Sequence, residues 1–213
     1  MYRHGRNYEN LNKVIFDGTG VFDTPHLLPT DTIADIFIGF NYAKSCKNPE
    51  NKGVHFFIDD YQFTRLWTQP DAYLDLLRNF RCVCTPDFST YTDFPKVIQI
   101  YNHYRKHWLG AYWQMHGITV IPTISWSDGA SFEWCFDGEP EGGIVAVSSV
   151  GTLLNKESRA RFLAGYNEML SRLQPERVLF YGLVPDECKG DIIPLTAFQD
   201  SIKARCNKQG TVV

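Results

Sequence analysis

Five short apolar runs in this chain stop at polar residues, always at their carboxyl end. Residues 55–58 run into Asp59 and Asp60, and residues 82–86 into Asp87, Phe88 and Ser89. Residues 118–124 meet Ser125, Trp126, Ser127 and Asp128, residues 144–147 meet Ser148 and Ser149, and residues 178–180 meet Tyr181 and Gly182. A nearly unbroken apolar run of this length fits a strand buried on both faces, as in a parallel sheet covered by helices. The strands expected on this basis span residues 33–40, 55–60, 81–85, 118–125, 144–147 and 177–180.

Between the runs the period changes from continuous to helical. Residues 65–79 carry Leu66, Tyr73, Leu74 and Leu77 on one face, with Pro70 opening the main turn of that helix. After Asp93 as a cap and Pro95 in the first turn, Val97, Ile100, Tyr101, Tyr104, Trp108 and Tyr112 recur at three- and four-residue steps until Gly117. A third helix starts at Asn155 or Lys156 and carries Phe162, Tyr166, Met169, Leu170 and Leu173. Residues 132–136 read as a short strand or a helical turn, and residues 195–206 as a last helix. Residues 1–32 lack period and read as an irregular arm or opening hairpin, leaving residues 33–213 as a single α/β domain.

Strands that alternate with helices imply right-handed crossovers, so the strand carboxyl ends share one rim. With 213 residues the chain is shorter than the roughly 250 of eight full β/α units. The expected fold is therefore a mainly parallel sheet in a reduced or incomplete β/α (TIM-like) barrel, with an open doubly wound sheet as the alternative.

That rim would collect the candidate chemistry. Asp59, Asp87 and Asp128 form a set of strand-exit acids suited to general acid/base work or to Mg²⁺, and Asp60, Ser89, Ser148 and Tyr181 would contact a substrate. Because side chains alternate along a strand, only one of Asp59 and Asp60 is expected to face the rim. Trp126 would provide a stacking platform for a sugar or base. The structural alternatives are a helix cap or turn for Asp60, an Asx-type turn for Asp87 and Ser89, and a plugged barrel mouth for Trp126.

Composition narrows the classes. Hydrophobic content of 44% with 21% charged residues suits a folded globular protein, and a net charge of −3 disfavours a broad nucleic-acid-binding face. No segment has the roughly 20 apolar residues of a membrane helix and the amino terminus has no apolar signal core, so a cytoplasmic protein without a membrane partner is expected. The six cysteines show no C-x-x-C pair and read as reduced core residues. His103 and His107 are four apart on one helix, but spacing names no third ligand, which argues against a zinc enzyme. Neither a Walker loop nor G-x-G-x-x-G is present, so ATP and NAD use has no motif behind it. The run from Tyr104 to Trp113 reads chiefly as a core-facing stripe.

The ordered motifs HFFIDDYQF from His55, TPDFS from Thr85, WLGAYWQ from Trp108, VIPTISW from Val120 and FYG from Phe180 resemble an uncharacterised family of bacterial, phage and mobile-element proteins. The likeness runs from Val54 to Gly182. It implies a phage or integrative-element setting inside a bacterial cell and assigns no residue a role. Two functions stay open at this point. One is a hydrolase acting on a phosphate- or sugar-containing, nucleotide-like small molecule through Asp59, Asp87 and Asp128. The other is a non-catalytic binder that sequesters a host ligand or docks on a host or replication protein, with a plugged rim and an exposed patch at Trp108, Tyr112 and Trp113.

Overall fold

In a computed structural model, residues 13–195 and the strand Tyr2–Arg3 are described. The first strands are short and antiparallel: β1 (Tyr2–Arg3) pairs with β2 (Ile15–Phe16), and β3 (Gly18–Thr19) with β4 (Thr24–Pro25). This opening segment packs on the longest helix. Trp108 donates its indole N–H to the Val14 carbonyl at 2.8 Å, and Leu27 is fully buried.

The parallel strands follow as β5 (Ile36–Gly39), β6 (Lys52–His55), β7 (Cys82–Cys84), β8 (Val120–Ile121), β9 (Ile144–Ser148), β10 (Arg177–Tyr181) and β11 (Ile192–Leu195). Pairing runs β5-β6-β7-β8 in one set and β9-β10-β11 in the other, all parallel. A parallel bridge between Thr123 and Ala146 joins the two sets, with Ile124 donating to the Ala146 carbonyl at 2.7 Å. Neighbour order therefore follows chain order without the reversal of a doubly wound sheet.

The sheet also rolls. In a flat sheet β6 and β10 would stand four strand spacings apart, about 19 Å. Instead the Tyr181 ring at the end of β10 lies 4.9 Å from both His55, at the end of β6, and Phe57 just beyond it. The rim is thereby drawn together around one hollow.

The helices are α1 (Arg65–Thr68), α2 (Leu74–Arg78), α3 (Lys96–Met115) and α4 (Lys156–Leu173). The expected single helix over residues 65–79 is divided, because Pro70 opens a 3-10 turn, Pro70–Tyr73, between α1 and α2. Asp93 does not cap α3; Pro95 occupies that position without a side-chain bond. Gly117, with φ +78°, turns the chain out of α3 as expected. Asn155 caps α4 through a reciprocal capping box with Ser158. Residues 132–136 form no strand; a 3-10 turn, Gly129–Glu133, occupies the start of that stretch. The last helix expected from residue 195 lies outside the described residues, and Leu195 itself ends β11.

One apolar cluster fills the interior between β5–β8 and the helices α1 to α3, with Trp108 and Trp113 fully buried. A second packs α4 against β9 and β10 through Phe162, Tyr166, Met169 and Phe180. Burial of Trp108 and Trp113 removes the exposed patch that a docking role for that stripe required. The five described cysteines are free thiols, and no described helix is long and apolar enough to cross a membrane.

Candidate active site

The rim encloses a cavity of about 1010 Å³. Asp59, Asp60, Asp87, Ser89, Ser148 and Tyr181 all border it. β6 ends at His55, four residues before Asp59, so strand alternation does not govern Asp59 and Asp60. Both reach the cavity from a 3-10 turn, Asp60–Gln62, that follows the strand exit.

Asp59 is exposed at the mouth, whereas Asp60 is half-buried. The Asp60 carboxylate accepts hydrogen bonds from the Ser89 amide at 3.1 Å and the Ser89 hydroxyl at 2.9 Å. This ties the exit of β6 to the exit of β7. The Asp60 carbonyl meanwhile accepts from Thr64 N at 2.9 Å, so it is the backbone of Asp60, not its side chain, that starts the next helical turn. Asn102 of α3 donates to the Ser89 carbonyl at 2.6 Å and holds the same loop from behind.

Asp87 lies at the cavity wall between these fixed groups, and its carboxyl makes no hydrogen bond among the described residues. Burial pushes its pKa up to about 7, with the Lys106 ammonium opposing the shift and the Asp60 carboxylate adding to it. A carboxyl poised near neutrality can exchange a proton with a ligand at physiological pH.

His55, Tyr42, Phe57, Tyr91 and Phe94 also border the cavity, and sequence reading did not select them. His55 begins an apolar run and reads locally as strand interior, which hid it. Burial lowers its pKa to about 4, and its Nδ1 accepts from the Phe57 amide at 3.3 Å, so the neutral ring carries its proton on Nε2. Among the described residues, none that lines the cavity is Lys or Arg.

Asp128 is not drawn into this site. Exposed at the start of the 3-10 turn Gly129–Glu133, it accepts from the Ala130 and Ser131 amides at 3.1 Å each, the geometry of a cap. Trp126 borders a smaller neighbouring cavity of about 190 Å³, which shares Asp87, Ser89 and Ser148 with the first. Its ring packs on Phe162 at 5.4 Å and lies against Gly165 of α4, where an added Cβ would fall 2.2 Å from the indole nitrogen. α4 therefore covers much of the Trp126 ring.

Among the described residues, one group of three His, Cys, Asp or Glu ligand atoms comes within 4.8 Å: His103, His107 and Glu139, all buried. The rim acids form no such group. Glu139 is the third ligand type that spacing could not supply, since it lies 32 residues beyond His107 in a separate loop.

Residues 16–199 match the family described as Domain of unknown function (DUF4417). The chain belongs to the DUF4417 family. It is 38% identical over 178 residues to the Gene 1 protein of Mycobacterium phage L5, covering 82% of this chain and 78% of that protein. The Gene 1 protein of Mycobacterium phage D29 is likewise 38% identical over 178 residues, with 66% of its length covered. No solved structure matches this DUF4417 chain. The match takes in every element from β3 to β11 and with them the whole rim.

Proposed function

We propose that the rolled parallel sheet is a reduced β/α barrel whose rim cavity takes a neutral or cationic sugar- or nucleoside-like ligand and hydrolyses its glycosidic bond. The observation that carries this reading is the pairing of Asp87, its pKa pushed up to about 7, and Asp60, held by two Ser89 donors, in a cavity lined by aromatic rings and, among the described residues, by no Lys or Arg. Two carboxyl groups and π faces stabilise positive charge, as in an oxocarbenium-like transition state. A phosphate group would meet no Lys or Arg among the described lining residues, so the lining favours the sugar half of the expected substrate class. Mg²⁺ at Asp59 and Asp87 would be needed for the other half.

In this scheme protonated Asp87 gives its proton to the leaving oxygen or nitrogen as the bond to the anomeric carbon breaks. Asp60 faces the developing positive charge. Water adds to the anomeric carbon and loses its proton to Asp59 at the mouth. Tyr91, Phe57 and Tyr181 hold the ring, and His55 Nε2–H donates to a ligand oxygen.

The test is turnover of a panel of nucleosides and aryl glycosides by the native chain and by Asp87→Asn. Turnover that falls about 10²–10⁴-fold in the variant while binding persists supports the scheme, as does a rate that declines above pH 7 as Asp87 deprotonates. Binding with no turnover by the native chain establishes the non-catalytic reading instead. Activity unchanged in Asp87→Asn refutes the role of that acid.

A further inference from the structure

We propose that His103, His107 and Glu139 form a buried site for one divalent transition-metal ion of the zinc type, apart from the rim cavity. α3 places His103 and His107 one turn apart with ring centroids 4.3 Å from each other, and the loop after the 3-10 turn Gly129–Glu133 brings Glu139 against them. The three residues are 3%, 0% and 6% exposed.

The hydrogen bonds orient both rings as metal ligands are oriented. His103 Nε2 lies 3.0 Å from the Asp137 carbonyl, and His107 Nδ1 lies 3.0 Å from the Pro25 carbonyl. A carbonyl only accepts, so each of these nitrogens carries hydrogen and the opposite nitrogen presents a lone pair. Anchoring the distal N–H on a backbone carbonyl fixes the tautomer and aims the other nitrogen at an ion.

That arrangement leaves acceptors facing acceptors. His107 Nε2 stands 2.9 Å from Glu139 Oε1, two electron-pair donors that need a proton or a cation between them. Glu139 Oε2 is buried and has no hydrogen-bond partner among the described residues, and neither has the buried Asp137 Oδ2 of the adjoining turn. Lys106 supplies one positive charge, donating to Glu139 Oε1 at 2.7 Å and to the Thr123 carbonyl at 2.8 Å. It orients the carboxylate and leaves the second lone pair of Oε1, beside His107 Nε2, and the unpartnered Oε2 to hold the ion. Two imidazoles and one carboxylate are a donor set suited to zinc, with ligand distances of about 2.0–2.2 Å. Closed on all sides, the site acts on folding, binding its ion as the loop carrying Glu139 seats on α3.

The full chain, unfolded in chelator and refolded with Zn²⁺ or Co²⁺, is assayed for metal content, Co²⁺ absorption and melting temperature. The site predicts about one ion per chain and a melting temperature raised by about 10 °C at metal 1000-fold above Kd. Affinity should fall at least about 10-fold in His103→Gln and in Glu139→Gln, whereas Lys106→Met should retain the ion. A native chain with no stoichiometric metal and no shift overturns the proposal and assigns a proton to the His107–Glu139 contact. Co²⁺ that persists undiminished in a His103→Gln, Glu139→Gln double variant overturns it too. The native chain decides the question even where a variant fails to fold.

Discussion

Replacing Asp87 by Asn removes a titration without changing the shape of the side chain. In the unfolded chain this carboxyl releases its proton near 3.8, and in the folded chain near 7. Between those values the folded state holds the extra proton, so its contribution to stability is whole below pH 4, is lost as pH rises and is gone above pH 7. Three pKa units at 1.36 kcal/mol each set an upper limit of about 4 kcal/mol. Because Asp87 is only half-buried and borders an accessible cavity, water reduces this to about 2 kcal/mol. Asn carries no charge, so Asp87→Asn should match the native chain near pH 4 and exceed it by about 2 kcal/mol at pH 8. Urea unfolding followed by tryptophan fluorescence should show a midpoint shift of about 1 M that is present at pH 8 and absent at pH 4. An equal shift at both pH values would refute the burial argument. A variant less stable than native at pH 8 would show instead that the charged carboxylate works against Lys106 as a structural pair.

Two further outcomes separate structural from functional residues around the rim. Asp128→Ala should cost about 1 kcal/mol in urea unfolding by removing the cap on the Ala130 and Ser131 amides, and should leave ligand binding in the main cavity unchanged; lost binding at unchanged stability would return Asp128 to the site. Gly165→Ala should destabilise the chain by about 1–2 kcal/mol and alter its tryptophan emission, since the new Cβ collides with Trp126 and overpacking outweighs the better helix propensity; a more stable variant with native emission would contradict the packing of that ring.

The alternation of apolar runs with helical periods determined the β/α order, α3, α4 and the shared direction of the strands, because these depend on which face of a local segment avoids water. The same local pattern could not rank the acids at the strand exits. Asp87 and Asp128 each follow an apolar run beside hydroxyl residues, and in sequence they look alike. Asp128 finds two amides within three residues and is satisfied locally, while the neighbours that raise the pKa of Asp87 are distant, Asp60 from the preceding exit and Lys106 from α3. Chain alternation likewise predicted one inward carboxylate from Asp59 and Asp60, but the early end of β6 released both from the pleat. Only the rolling of the sheet brings Tyr181 onto His55 and Phe57, and only the loop carrying Glu139 gives His103 and His107 a common partner. Burial period is a property of neighbours along the chain. A cavity, a shifted proton and a ligand set belong to groups that meet across it, and tertiary packing alone brings those together.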